Sequence, residues 1–405
     1  MAKKKEEEVK QIPVDGLIDV PDFQMPEEYD EDEGIIKDEC EVAFKCAFIG
    51  AGQAGGRLVE SLYKIGYRRV CAVNTNTQDL SSVNIPEENK LVMDIGEGGS
   101  AKNPAKGAEA VKKYYEDVYD LMKRSFGEGF DRIIVCAGGG GGSGGGSCET
   151  IIQIAHDIAQ SYKVEVVDNN QIMNISVGAL VSLPKNSEGS KVNANAKYLV
   201  TNLLKLVGSN SGKLAGRTLS PLILVDNERI EKIYPNVPVT NFWNVANQSI
   251  CSLFHLFNNI SIQDSEFTTF DKAELKDMLS SGVLSFGACQ IKKWDSDTDI
   301  SFAIRDNLKK NILVSGLDIG QASKAACVVI AHPDVLDSIP QKYLDHGFEM
   351  LTRIMSNGSV VHRGIYKSNI VDVKGKPSMR IYTMLGEVGS PEERIKELSR
   401  ISGTK

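Results

Sequence analysis

Residues Cys136 to Ser147 read Cys-Ala-Gly-Gly-Gly-Gly-Gly-Ser-Gly-Gly-Gly-Ser, and whether they form a spacer or a binding loop decides the fold. By composition alone the run is a flexible linker between domains. Its flanks oppose that. Asp131-Arg-Ile-Ile-Val-Cys-Ala137 is a short β-branched apolar run, and Cys148–Tyr162 carries apolar residues at helical spacing. A glycine run wedged between a strand and a helix N-terminus sets bare N–H groups beside the positive helix end, the arrangement a polyphosphate needs. Ordering each of the eight glycines of Gly138–Gly146 costs roughly 1–2 kcal/mol. A few charge-assisted bonds from N–H to phosphate, at about 1.5–3 kcal/mol each, largely offset that cost.

Outward from this run the pattern is regular α/β. Val42–Ile49, Arg69–Val73, Leu91–Ile95, Arg132–Ala137, Ser176–Leu183 and Pro221–Val225 read as strands. Helices are expected at Gly55–Ile65, Pro104–Phe126, Ile151–Ala159 and Val192–Val207, with a long one at Asn241–Phe257. Strands alternating with helices predict a parallel sheet covered on both faces. Strands Val283–Trp294, Cys327–Ile330, Ser359–Val371 and Ser378–Leu385, with helices near Phe302–Lys310 and Asp337–Met355, make a second, smaller unit. The expected class is α/β: a Rossmann-like parallel-sheet domain at 41–240, a central helix at 241–260 and a smaller α+β domain at 261–389. Residues 1–40 are acidic and too polar to fold alone, and 390–405 read as a short basic tail. Residues 163–176 are an insertion with no assigned place.

The formal net charge of −8 argues against duplex nucleic acid as the main partner. Eight cysteines stand singly, without C-x-x-C, and read as reduced thiols rather than a zinc site or a disulfide framework. No apolar stretch reaches membrane-spanning length, so no membrane insertion is expected and the location is read as cytoplasmic.

Gly50-Ala51-Gly52-Gln53-Ala54-Gly55 after the first strand matches G-x-G-x-x-G, so an NAD-dependent oxidoreductase is one reading. Against it, the second strand ends in Val73-Asn-Thr-Asn76, with no acid to grip a ribose diol, and the run at 138 is left without a role. Gly212-Lys213 is followed by Leu214, so no Walker A loop is present. Three more strands end in polar or glycine-rich turns: Asn74–Gln78, Gly96–Pro104 and Leu183–Gly189. Each alone reads as a turn. Together, at the carboxyl edge of one parallel sheet, they make a nucleotide cradle.

With these motifs assembled, the chain resembles the tubulin/FtsZ superfamily of GTP-dependent filament proteins over about residues 42–388. Gly140-Gly141-Gly142-Ser143-Gly144-Gly145-Gly146 is similar to its GGGTGTG signature, with Ser143 for the first threonine and Gly145 for the second. Gly50, Gly52, Gln53 and Ala54 resemble its first glycine loop, and Asn74–Gln78 its N-T-D-x-Q loop with Asn76 in place of the acid. Gly98, Gly99 and Asn103 lie in a segment similar to its γ-phosphate-sensing loop. Glu188 resembles the ribose-facing acid, Asn227 lies in a P-N-D-R-like segment, and Asn247, with Asn244 as a second choice, resembles the base-reading residue. An amide reads guanine or adenine, so the base is left open.

Thr268-Thr-Phe-Asp271-Lys-Ala-Glu274 resembles the family's N-x-D-F-A-D loop, with Thr269 for the asparagine. The resemblance implies that Asp271 and Glu274 are catalytic and act on the nucleotide of the next subunit, with GTP/GDP and Mg²⁺ as cofactors and no protein metal site. It further implies a GTPase that assembles head-to-tail with itself into a cytoplasmic filament of a bacterial cell or phage-infected host. Such a filament moves or positions DNA, capsids or division machinery through an unidentified cargo or adaptor. A filament that holds nucleotide as a staple without hydrolysing it is the remaining alternative.

Overall fold

The computed structural model describes residues 39–162, 164–165, 172–173, 175–207, 218–310, 312–355, 360–372 and 374–403. Nearly all of the acidic N-terminal segment therefore lies outside the described residues. Every residue of β1 (Cys46–Ala51) is buried. Ala47, Ile49 and Ala51 join the core on one face of the sheet, and Cys46 and Phe48 the core on the other. A strand covered on both faces reads as an unbroken apolar run, which is why it was legible as a central parallel strand. The strand starts later than Val42 because the Phe44 backbone is bonded instead to the Asn258 side chain, N–H to Oδ1 at 2.9 Å.

There follow α1 (Gly52–Ile65), β2 (Val70–Asn74), α2 (Thr77–Ser81), β3 (Lys90–Val92), α3 (Pro104–Lys113), α4 (Tyr115–Phe126), β4 (Arg132–Gly138) and α5 (Ser143–Ser161). Two short strands that pair antiparallel, β5 (Val164–Glu165) and β6 (Ile172–Met173), fall within the insertion. Next come β7 (Ser176–Leu183), α6 (Ser190–Leu206), β8 (Leu219–Asp226), α7 (Asn227–Ile233) and α8 (Val239–Ile260). The last part holds α9 (Lys272–Leu279), β9 (Val283–Ile291), α10 (Asp297–Lys310), β10 (Lys324–Ala331), α11 (Pro333–Ser338), α12 (Gln341–Ile354), β11 (Val360–Lys367), β12 (Met379–Gly386) and α13 (Glu392–Ser402).

One sheet runs β3-β2-β1-β4-β7-β8-β9-β12-β10-β11. From β3 to β8 it is wholly parallel. β9 joins β8 through Leu222↔Val283 and Ile223↔Leu284, a narrow seam. Beyond it β12 is antiparallel to β9 and β10, and β11 is parallel to β10, so the smaller unit is mixed. Leu58 and Leu62 of α1 and Ile250, Phe254 and Phe257 of α8 cover one face. Residues of α4, α5, α6, α10 and α12 cover the other.

Three expectations change. The single helix expected at 104–126 is two, because Tyr114 leaves helical geometry and its hydroxyl bonds the Asp94 carbonyl. The helix expected from Asp337 is divided at Ile339-Pro340, where the proline ring constrains the preceding residue away from helical geometry. The basic tail is instead α13, packed on α6, with Arg394 among the largest fully buried side chains.

Within α8, burial pushes the His255 imidazole down from 6.5 to about 4. Between those values the unfolded chain binds the proton and the fold does not, so stability rises with pH there and is lost on acidification. The shift corresponds to about 3 kcal/mol. Urea midpoints taken from pH 7 to 4 are expected to fall steeply below pH 6.5, and His255→Phe is expected to remove that part of the slope.

Candidate functional site

The order of strands reverses at β1 and β4: the chain runs outward through β2 and β3, then returns to β4 and continues through β7 and β8. Ligands of open parallel sheets bind at the carboxyl ends of the strands at such a switch point. Both glycine segments are there. α1 starts at Gly52 and α5 at Ser143, one after each strand flanking the switch. Their N-termini nearly touch, since a Cβ on Gly52 would lie 2.6 Å from the Gly144 N, and one on Gly144 2.5 Å from the Ala51 carbonyl oxygen. Two helix N-termini aimed at one point concentrate unpaired N–H groups and partial positive charge, an anion site.

Three loops close on Ser143. Its Oγ is 2.5 Å from Thr75 Oγ1 and 3.0 Å from Ser100 Oγ. Asn76 caps α2 by accepting the Asp79 N–H at 2.8 Å, and its amide donates to the Gly98 carbonyl at 2.6 Å, joining the second and third loops. Gly99 takes φ +140 against that Asn76 side chain. Asn103 caps α3, accepting the Ala105 N–H at 3.1 Å, while a Cβ on Gly142 would lie 2.6 Å from the Asn103 N. Ala101 and Lys102 hold left-handed φ values of 47 and 58 in this loop, strain that non-glycine residues keep where the surroundings impose it. Gln53 donates to Asp79 at 3.2 Å, and Ala54 lies beneath Gly138.

The structure also accounts for glycine at the second threonine position. A Cβ on Gly145 would lie 2.9 Å from the Gly139 carbonyl oxygen, so the run closes more tightly than a threonine permits. Gly139 donates to the Ser182 carbonyl at 2.9 Å, and Asn195 donates to the Gly140 carbonyl at 3.1 Å. Gly141 donates to the Gly138 carbonyl.

The remaining predicted residues border this cradle. Glu188 sits in the turn after β7, its Oε1 accepting the Lys185 N–H at 2.7 Å. Asn227 opens α7 at the end of β8 and is buried. Asn247 lies one turn above Cys251, whose thiol reaches the Leu58 carbonyl of α1. The same helical face therefore places Asn247 level with the first turn of α1; Asn244 is exposed.

Asp271 and Glu274 are elsewhere. They form a capping box: Asp271 Oδ1 accepts the Glu274 N–H at 2.9 Å, and Glu274 Oε2 accepts the Asp271 N–H at 3.2 Å. Phe270, fully buried, and its N–H bond to the Tyr366 hydroxyl pin the segment to β11. Neighbouring Lys272 lies over the Phe44 ring at 5.0 Å, and Phe44 precedes β1. At the other end of α9, Leu279 O accepts from Arg132, the first residue of β4. The acids thus stand at the amino ends of the strands, with β1 and β4 between them and the glycine loops. Six to seven residues of strand set a separation of about 20 Å.

Two features escaped the sequence. Thr75 and Ser100, which flank Ser143, sat unremarked within quoted loops. His362 lies between Glu274 and Asp277, at 3.1 Å from each carboxylate, and a solitary histidine carries no sequence signal of that. Glu274 therefore has both oxygens engaged, whereas Asp271 is exposed and is the freer acid. Burial alone would raise the Asp277 carboxyl, but the bonds and charges of Lys324 and His362 outweigh it and hold it below the usual range.

Comparison with known proteins agrees with this arrangement. Residues 45–210 match the model of the tubulin/FtsZ family GTPase domain. The tubulin-like protein TubZ of Bacillus cereus is 24% identical over 323 residues, covering 74% of this chain and 68% of that protein. Cell division protein FtsZ 1 of Pyrococcus woesei is 25% identical over 333 residues, covering 80% and 79%. Among solved structures, a GTPγS-form protofilament of Bacillus thuringiensis serovar israelensis TubZ superposes with a TM-score of 0.74 at 19% identity, covering 91% of this chain and 93% of that one. CetZ2 from Haloferax volcanii gives 0.67 at 20% identity, covering 89% and 98%. The motif order and the sheet agree with these likenesses, and residues 45–210 carry the tubulin/FtsZ family GTPase domain.

Proposed function

We propose that this chain binds and hydrolyses GTP and polymerises head-to-tail with itself, each active site being completed by the next subunit. The observation that carries the reading is the placement of Asp271 and Glu274 at the pole opposite the glycine cradle. No single copy brings them to its own loops. A contact joining opposite poles is heterologous, so it propagates as a filament instead of closing. Phosphoryl transfer requires positioning and charge stabilisation more than covalent help. The N–H groups of Gly140–Gly145 and the two helix N-termini hold phosphate, and Asp271 of the adjoining copy orients water.

Among the described residues no group of three or more His, Cys, Asp or Glu side chains is placed to hold a metal ion. The donor set fits Mg²⁺ held mainly by phosphate oxygens and water, with the Ser143 and Thr75 hydroxyls as protein oxygens. When bound, the ion neutralises charge on the phosphates. The NAD reading loses support because the Asn76 amide, where a ribose-binding acid would stand, is committed to Gly98 and the α2 cap. One solved relative is described as a type III plasmid segregation TubZ, and DNA is accordingly the favoured cargo, reached through an adaptor. No helix among the described residues is long and apolar enough to cross a membrane.

The test follows light scattering and phosphate release from the purified chain with GTP, GDP or NAD. Scattering with steady phosphate release on GTP alone is expected. Scattering without phosphate supports the stapled filament instead, and a nicotinamide fluorescence change without scattering supports the dehydrogenase.

A further inference from the structure

Arg394 of α13 is wholly buried, and so is its partner Asp226, whose Oδ1 lies 3.1 Å from the guanidinium. Asp226 is the last residue of β8 and caps α7. Its other oxygen accepts from the Ser315 hydroxyl at 2.7 Å. An ion pair removed from water is retained where its remaining hydrogen bonds are well made. Those of Arg394 do not go to the core. One goes to Glu397 of the same helix at 2.9 Å, and two go to the turn after β7: to the Pro184 carbonyl at 2.7 Å and to Asn186 Oδ1 at 2.6 Å. Asn186 in turn donates its amide to Glu397 of α13 at 2.7 Å and its backbone N–H to Glu228 of α7 at 3.1 Å.

This turn borders the glycine run. Gly139 is bonded to the Ser182 carbonyl, and a Cβ on Gly140 would stand 3.5 Å from Pro184 Cβ and press on Val192. One guanidinium from the last helix therefore fixes two strand-end loops on the cradle's flank. A clamp serving stability alone would be satisfied by Asp226. The planar fork with its fixed donor geometry additionally sets where the 184–188 turn lies.

We infer that Arg394 is a positioning residue of the nucleotide cradle, so that docking of α13 and binding of a guanine nucleotide are thermodynamically coupled. The inference rests on the nucleotide reading above. Coupling between two sites is reciprocal: what α13 contributes to nucleotide affinity, nucleotide returns to the docking of α13.

The experiment uses the full chain below its assembly threshold, with a fluorescent GDP analogue for affinity and hydrogen exchange of residues 392–402 with and without GDP. Arg394→Lys keeps the charge but not the fork. Asn186→Ala leaves the buried pair and the bond to the Pro184 carbonyl intact and removes the two side-chain bonds that tie the turn to Arg394 and Glu397. Both are expected to weaken GDP at least fivefold, with Asn186→Ala lowering the thermal midpoint less than Arg394→Lys does. GDP is expected to slow exchange in α13 of the wild type by a similar factor, and by less in Asn186→Ala. Wild-type GDP affinity in Asn186→Ala, or α13 exchange indifferent to GDP, overturns the coupling while leaving the nucleotide reading intact. A wild-type chain that binds no guanine nucleotide overturns both.

Discussion

Asp271→Asn is expected to lower GTP turnover by about 100-fold or more while filaments still form and persist. Removal of a group that orients the attacking water typically costs on the order of 10²–10⁴ in rate. Asparagine is the informative substitution because the Asp271 side chain also caps α9, and asparagine caps about as well as aspartate. Alanine is expected to remove hydrolysis too, but adds a loss of about 1 kcal/mol in local stability. Phosphate release with parallel sedimentation separates the outcomes. Persistent polymer with little phosphate release supports the assignment, and normal hydrolysis by Asp271→Asn ends it. Glu274 offers a contrast. With its carboxylate divided between the cap and His362, Glu274→Gln should act more through the geometry of the turn than through lost charge.

The second large effect is Gly146→Ala. A Cβ there would overlap the Pro104 carbonyl, and one on Gly107 would overlap the Gly142 carbonyl. α3 and α5 therefore cross backbone to backbone, and this close approach holds the third loop over the glycine run. Overpacking against fixed backbone costs about 1–3 kcal/mol and occasionally more, here displacing Ser100 from Ser143 and Asn103 from Gly142. Gly146→Ala is expected to lose nucleotide binding tenfold or more, together with a lowered thermal midpoint. Retained affinity would show that the third loop does not depend on the crossing.

What the sequence disclosed follows from how locally each signal is encoded. β1 and the Ile133–Ala137 stretch of β4 were legible because a strand buried on both faces needs an unbroken apolar run. The glycine run was legible because its flanks fixed it between a strand and a helix. Asp271 and Glu274 were picked out by the resemblance of their loop, not by any local pattern of the chain. Other features depend on residues distant in the chain. Arg394 sits in a charged segment that reads as solvated, and its burial depends on Asp226, which nothing nearby announces. The grouping of Thr75 and Ser100 about Ser143 comes from three loops meeting in space. The break at Tyr114 answers to a carbonyl on another loop, at Asp94, so no helical periodicity within 104–126 could reveal it.

If the cradle and the acids lie on opposite poles of one copy, chemistry requires a neighbour. Initial phosphate release, divided by subunit concentration and measured from well below to well above the onset of scattering, tests this directly. The account predicts negligible turnover per subunit at low concentration and a steep rise to a plateau once polymer forms. Turnover per subunit that is constant across the whole range would mean that an isolated chain hydrolyses GTP unaided, and would contradict it.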